Sequence, residues 1–317
     1  MTRSTDFSNV PERIGNLPVI LLAGPTACGK TSLAIKLAQS LATEIVNADS
    51  MQVYRYMDIG TAKPSAAERR EVIHHILDIA DPDESFDAAR YLEVASPVVR
   101  SLHKRGKIPI VVGGTGLYMK VLSRGICSGP TSDPEIKEGL LRDESCKGLA
   151  WLHLELARVD PEAGSRIHPH DRQRIFRALE VFRLTGVPLS FQQKQHGFEK
   201  SVFSTIKILI FRDREELYDR INSRVEAMLQ MGFESEVRRL LDMGYGPELK
   251  PMQSLGYRQM AAHILGNLSL DRAVYLIQRE TRRYAKRQLT WFRADPEFRS
   301  FHAGDFDAIF SWISGKL

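Results

Sequence analysis

The chain has 317 residues, 43% of them hydrophobic, and a formal charge of +5, which allows two domains or one α/β domain with a large insertion. Its three cysteines, Cys28, Cys127 and Cys146, show no C-x-x-C spacing, which argues against a disulfide framework or a zinc site and fits a reducing cytosol. The polar first sixteen residues lack the pattern of a secretory signal and no apolar run is long enough to span a bilayer, so a soluble cytoplasmic protein with no membrane partner is expected.

A first buried strand, Pro18 to Leu22, runs into Gly24-Pro25-Thr26-Ala27-Cys28-Gly29-Lys30-Thr31, the G-x-x-x-x-G-K-T spacing of a phosphate-binding loop. Glycines let successive N–H groups point inward, Lys30 adds a charge, and Thr31 is placed to hold Mg²⁺ at the mouth of the next helix. That helix is expected over Ser32 to Leu41, with Leu33, Leu37 and Leu41 on one face. Cys28 has two readings: a thiol activated by amides, Lys30 and a helix N-terminus, or inert packing behind the loop.

A second strand, Glu44 to Ala48, ends in Asp49-Ser50-Met51-Gln52. Asp49 then faces the same crevice as Lys30, unless it serves as a turn cap. Val72 to Ile79 reads as a further strand, and Phe86 to Lys104 has the period of a crossover helix. Strand Ile108 to Val112 runs into Gly113-Gly114-Thr115-Gly116-Leu117-Tyr118 and lacks the terminal carboxylate of a nucleotide hydrolase, so its small residues suggest close approach of a substrate.

From Gly125 to about Thr205 strand signals stop, and short helices punctuated by Pro130, Pro134, Pro161, Pro169 and Pro188 suggest a helical insertion. Ile206 to Phe211 restores the sheet. Asp213 with Glu216 suggests a capping box for a long helix whose buried stripe is Leu217, Ile221, Val225 and Met228, with Arg220 and Arg224 beside it. Near the C-terminus Val274, Ile277 and Tyr284 mark one helix face and Arg272, Arg279, Arg283 and Arg287 another. Positive charge concentrates in Arg166 to Arg183 and in Asp271 to Arg293, which suggests a polyanionic partner or two solvated helix faces. The fold class expected is α/β: a P-loop parallel-sheet core over 17–124, an inserted all-helical domain over 125–205, and core completion with basic C-terminal helices over 206–317.

These motifs, in this order, resemble the bacterial tRNA dimethylallyltransferases, or tRNA isopentenyltransferases, of the IPP transferase family. The resemblance runs from Leu17 to about Arg293. It rests on the phosphate loop, the runs Asp49 to Tyr54 and Asp58 to Pro64, His74-His75, Gly113 to Tyr118, Gln173 to Glu180, Gly256 to Gln259, and Lys286 to Arg293. Two residues depart from it: Cys28 where the family usually has Ser, and His170 where Asn is common. The chain also lacks the Cys/His zinc extension of eukaryotic members.

The resemblance implies transfer of a dimethylallyl group from dimethylallyl diphosphate to the exocyclic N6 amine of the adenosine adjacent to the anticodon of tRNA, with Mg²⁺, by a protein expected to act as a monomer. By position, Asp49 resembles the general base, Thr115 a substrate contact and Arg224 a diphosphate ligand. Segments resembling tRNA contacts are Asp49, Ser50, Met51 and Gln52; Thr115; Gln173, Arg174, Ile175, Phe176 and Arg177; and Lys286, Arg287, Gln288, Leu289, Thr290, Trp291, Phe292 and Arg293. Such chemistry suits these residues. A carboxylate takes the proton of a weakly nucleophilic amine, and the loop amides, Lys30, Mg²⁺ on Thr31 and Arg224 answer the charge growing on the departing diphosphate. The competing readings are a small-molecule P-loop kinase, an adenylate prenyltransferase, and a nucleic-acid-binding ATPase. The glycine-ended strand counts against the kinase, and the insertion and basic helix exceed what a free nucleotide needs.

Overall fold

The computed structural model describes residues 17–126, 133–197 and 202–317. Cys127 and Pro130 lie outside them. The described chain falls into two compact units, one running to Ser123 and again from Phe203 to Leu317, the other spanning Arg124–Val202.

The first unit is built on a parallel six-stranded sheet: β1 (Val19–Ala23), β2 (Ile45–Asn47), β3 (His74–His75), β4 (Ile110–Gly113), β5 (Thr205–Phe211) and β6 (Arg299–His302), in the order β3-β2-β4-β1-β5-β6. The central strands β1 and β4 are buried at every residue, as expected of strands covered on both faces. Helix α1 (Lys30–Ser40) packs Leu33, Ile35 and Leu37 into the core with Ile20, Leu22 and Ile208. Helices α2 (Ala66–Glu71), α3 (Ala88–Lys104) and α4 (Gly116–Arg124) complete the first half of the unit. The sheet resumes at Thr205, which pairs with Val19, so Thr205 belongs to the sheet and not to the insertion.

Three expectations change. Only His74 and His75 of Val72 to Ile79 are strand, because the backbone turns left-handed at Ile76 (φ 64°) and Asp78 (φ 56°). Asp213 precedes the long helix without a side-chain cap, since Glu216 pairs with Arg212 instead of reaching back to the helix start. Strand β6 was not expected at all: it is short, on the sheet edge, and half its residues are exposed.

The regular elements among the described residues of the Arg124–Val202 unit are helices, α5 (Pro134–Lys147), α6 (Leu149–Val159), α7 (Pro161–Arg166), α8 (Arg172–Thr185) and α9 (Leu189–His196). Pro134 and Pro161 open helices here, each after a capping aspartate, in the first-turn position where proline costs nothing. Its core joins Leu140, Leu152, Leu156, Ile175 and Leu179. The rest of the first unit consists of α10 (Arg214–Gln230), α11 (Phe233–Asp242), α12 (Tyr257–Ile264), α13 (Leu270–Arg293) and α14 (Phe306–Ser314).

Glu44, at the start of β2, is 3% exposed and gathers Arg105 (2.7 Å), Lys107 (2.7 Å) and His75 (2.7 Å). Burial alone would raise its pKa, but hydrogen bonds from Arg105, Lys107 and His75 outweigh it and hold the carboxyl at about 2, below its ordinary 4.5. A depressed carboxyl stabilises the fold fully above the unfolded value and loses that contribution as pH falls toward the folded one. Glu44→Gln is therefore expected to lower unfolding free energy at pH 7 by about 1–2 kcal/mol, the exposed arginine and lysine being partly screened. In urea titrations its deficit against the parent should narrow as pH drops below about 4.5.

Candidate active site

The phosphate loop fills the turn between β1 and α1. Gly29, at φ 99°, caps α1 in a conformation that side chains resist, and Ala27 also has positive φ (64°). Side chains distant in sequence hold the loop: Arg220 Nε donates to the Ala27 carbonyl (2.9 Å), Arg212 Nε to the Cys28 carbonyl (2.9 Å), and the Thr26 N–H donates to Gln288 Oε1 (2.9 Å). Lys30 Nζ lies inside the loop, donating to the Gly24 (2.8 Å) and Pro25 (2.7 Å) carbonyls.

A cleft of about 1310 Å³ opens from this loop. Of the five residues assigned to the reaction, Lys30, Thr31, Asp49 and Arg224 line it, whereas Thr115 does not. Its lining also includes Met228, Met231, Phe233 and Ile277. Burial lowers the pKa of Lys30, Arg224 adding to the effect while Asp49 pulls the other way. Burial also lowers that of Arg224, with Arg220 adding to it. Arg224 has no carboxylate partner among the described residues. Desolvated and mutually repelling, the two cations are stabilised by an anion arriving between them.

Asp49 is half-buried. Its Oδ1 accepts the Met51 N–H (2.9 Å), so it does make the turn that was its alternative reading; Oδ2 remains without a protein partner among the described residues. Asn47 buttresses the segment from below, accepting the Asp49 N–H (3.1 Å) and donating to the Asp49 (3.2 Å) and Ile76 (3.1 Å) carbonyls. Burial raises the Tyr284 phenol pKa, and the nearby Asp49 charge adds to it. Thr115 Oγ1 accepts the Ser50 N–H (3.0 Å) and lies 3.3 Å from Ser50 Oγ, bracing the segment that carries Asp49. Gln52 donates to the Thr61 and Ala62 carbonyls (3.2 Å each), which leaves its oxygen for another partner.

The glycines from the end of β4 onward are packed against protein; Gly113 also lines the cleft, whereas Gly114 and Gly116 do not. A Cβ on Gly113 would lie 2.1 Å from the Ala48 carbonyl oxygen, on Gly114 2.0 Å from Gln288 Nε2, and on Gly116 2.0 Å from the Trp291 indole.

Among the residues assigned to tRNA, Gln173 and Arg174 are exposed on α8 and Arg177 is half-buried. Ile175 (0% exposed) is core and Phe176 (9%) lies beneath Arg172, so neither offers a side chain to a surface ligand. On α13, Lys286, Arg287, Thr290, Trp291 and Arg293 are exposed and Leu289 half-buried, but Phe292 is 1% exposed and stacks edge-on against Phe298. Gln288 is committed to the two loops. A helix has an inner face as well as an outer one, and a contiguous run cannot lie wholly on the outer. The positive segments are also unequal. Arg172 and Arg183 pair with Glu144 and Asp143, whereas Lys286, Arg287 and Arg293 have no ion-pair partner among the described residues.

Sequence reasoning missed the wall that closes one side of the cleft. Glu236, 2% exposed on α11, accepts N–H groups from Asp58 (2.9 Å), Ile59 (2.7 Å) and Gly60 (3.1 Å) and the Tyr257 hydroxyl (2.6 Å). Lys63, 8% exposed, bridges Asp58 (2.7 Å) and Asp78 (2.6 Å). A signal existed for Glu236, a charge on the same helix face as the apolar Phe233, Val237 and Leu240.

Cys28 is 0% exposed and belongs to the core beneath the loop, so the structure favours inert packing over an activated thiol. Iodoacetamide on the native protein should label the exposed Cys146 and spare Cys28 until urea is added, as read by peptide mass spectrometry.

With this geometry in view, the family model described as IPP transferase matches residues 52–295. A tRNA dimethylallyltransferase of Syntrophobacter fumaroxidans is 62% identical over 96% of this chain and 91% of its own length, and one of Desulfosudis oleivorans is 53% identical over 88% and 89%. The crystal structure of the full-length tRNA isopentenylpyrophosphate transferase of Bacillus halodurans superposes with a TM-score of 0.70 at 38% identity, covering 94% of this chain and 96% of that one. A eukaryotic dimethylallyltransferase captured acting on tRNA superposes at 0.77 with 27% identity, over 95% of this chain and 77% of that one. An α/β P-loop sheet, a cationic cleft with Asp49 in its wall and relatives of this closeness lead to one conclusion: the chain belongs to the IPP transferase family.

Proposed function

We propose that this chain transfers the dimethylallyl group of dimethylallyl diphosphate to N6 of the adenosine on the 3′ side of the tRNA anticodon, releasing diphosphate. The observation that carries this reading is the meeting of Lys30, Arg224 and the phosphate loop with Asp49 in one cleft whose lining also holds Met228, Met231 and Ile277. The loop and its cations suit a diphosphate, the apolar side chains suit a short hydrocarbon, and the carboxylate suits a base.

In the reaction the adenine amine attacks the allylic carbon, a nitrogen–carbon bond forms as the carbon–oxygen bond breaks, and diphosphate departs with the bonding pair. The amine proton passes to the free oxygen of Asp49. Loop amides, Lys30 and Arg224 stabilise the charge that grows on the leaving group, and they are in place before it develops.

Thr31 at the cleft is compatible with a Mg²⁺ that would accompany the diphosphate. Thr31 offers a single hydroxyl at the cleft, and no group of three or more potential metal-ligating side chains occurs among the described residues. Thr31 would hold the ion, which when bound adds positive charge on the diphosphate.

Lys286, Arg287 and Arg293 on α13, with Gln173 and Arg174 on α8, are proposed to grip the phosphates of the anticodon stem-loop, whose single-stranded bases unstack at lower cost than a duplex. Action as a monomer is proposed. No helix among the described residues is long and apolar enough to cross a membrane, and a cytoplasmic site of action is proposed.

Labelled dimethylallyl diphosphate, Mg²⁺ and bulk tRNA test the reading: label should enter RNA, and its absence would refute it. Asp49→Asn keeps an oxygen for the Met51 N–H but loses the base, and should lower turnover by about 10²- to 10⁴-fold with RNA affinity almost unchanged. Replacing Lys286 and Arg287 together by Gln should weaken RNA binding and reduce the slope of log affinity against log salt by about 0.7 per lost phosphate contact.

A further inference from the structure

We propose that Gln288 is a positioning residue for this reaction, a single buried amide that fixes the leaving-group loop and the base-bearing segment in register. The inference rests on the prenyl-transfer reading and adds to it a residue that holds the two halves of the site together.

Gln288 is 5% exposed, and both ends of its amide are used. Its oxygen accepts the Thr26 N–H in the phosphate loop (2.9 Å), and its nitrogen donates to the Gly114 carbonyl (3.0 Å). Tyr284, one turn earlier on α13, lies on the cleft wall with it. From Gly114 the path continues through the next residue. The Thr115 N–H donates to the Ala48 carbonyl (3.2 Å), and Thr115 Oγ1 accepts the Ser50 N–H (3.0 Å). Those two contacts bracket Asp49. The phosphate loop and the carboxylate are therefore joined through one side chain and one short loop.

The position demands a side chain with a donor and an acceptor at its tip. A carboxylate has no donor for Gly114, and an ammonium has no acceptor for Thr26. The loop is shaped around this contact: a Cβ on Gly114 would stand 2.0 Å from Gln288 Nε2, and the next turn of α13 puts Trp291 equally close to Gly116. Transfer requires the allylic carbon, tethered by its diphosphate, and the amine, oriented by Asp49, to meet in line, and a displacement of about 1 Å costs on the order of 100-fold in rate. Gln288 acts by holding these loops, without touching the reacting atoms.

The test uses Gln288→Met, which keeps volume and removes both hydrogen bonds, and Gln288→Glu, which keeps the acceptor and loses the donor. Both should lower kcat for label transfer into an anticodon stem-loop RNA by about 10- to 100-fold. The RNA KM should stay within about threefold of the parent. Amide exchange at Thr26 and Ser50 should be slow in the parent and faster in Gln288→Met. A normal kcat in variants melting within about 5 °C of the parent would overturn the proposal, leaving Gln288 a packing residue. A rise in RNA Kd with kcat unchanged would overturn it in favour of direct RNA contact. Should neither variant fold, rapid exchange of the Thr26 amide in the parent would overturn it and slow exchange would support it. A parent that transfers no label would reject the prenyl-transfer reading along with this one, whereas an active parent with active variants rejects this one alone.

Discussion

A diphosphate leaving an allylic carbon gains charge as its bond breaks, and it must be received by positive groups already held in place. On the proposed reading that requirement falls in this chain on Lys30 and Arg224, two cations with lowered pKa facing one cleft. Much of the surrounding structure fixes where they stand. The sheet and α1 set the phosphate loop, α10 brings Arg224 beside it, and Arg212, Arg220 and Gln288 fasten the loop by its own carbonyls and an N–H. These clamps come from residues far along the chain, so the loop is completed only when the sheet closes around β1 with β5 and β4 as its neighbours. A glycine-rich loop pinned in this way reorganises little as charge develops, which is the condition for electrostatic catalysis.

The same construction accounts for a P-loop serving a transferase. A nucleotide hydrolase places a carboxylate for metal or water at the end of a neighbouring strand. Here β4 ends in glycines packed against Ala48, Gln288 and Trp291, and the carboxylate stands after β2 as Asp49, with one oxygen fixed by the Met51 N–H. The glycines are small because protein approaches them, and the cleft wall beside Gly113 is extended by the loop that Glu236 and Lys63 anchor.

Much of this was legible in the sequence, and what was not has a physical reason. Strands β1 and β4 announced themselves as continuous apolar runs because they are buried on both faces, and the phosphate loop announced itself by spacing. Family resemblance supplied roles for Asp49 and Arg224, which the fold then brought to one cleft. Strand β6 was silent because an edge strand of four residues, half of them exposed, carries almost no hydrophobic pattern. Gln288 was grouped with the RNA contacts because a linear motif does not state which face of a helix each residue occupies; the helical period puts it inward, with Ala285 and Phe292. Arg212 and Arg220 were invisible as clamps because their partners are backbone carbonyls, which leave no trace in side-chain composition.

The central claim is that the phosphate loop holds a leaving diphosphate while Asp49 faces the attacking amine. A crystal structure with a non-reactive dimethylallyl diphosphate analogue, Mg²⁺ and an anticodon stem-loop tests it most directly. The account predicts diphosphate oxygens on the loop amides, Lys30 and Arg224, an adenine amine within about 3 Å of the free Asp49 oxygen, and the allylic carbon between them. A diphosphate bound away from the loop, or an adenine whose amine is out of reach of Asp49, would contradict it.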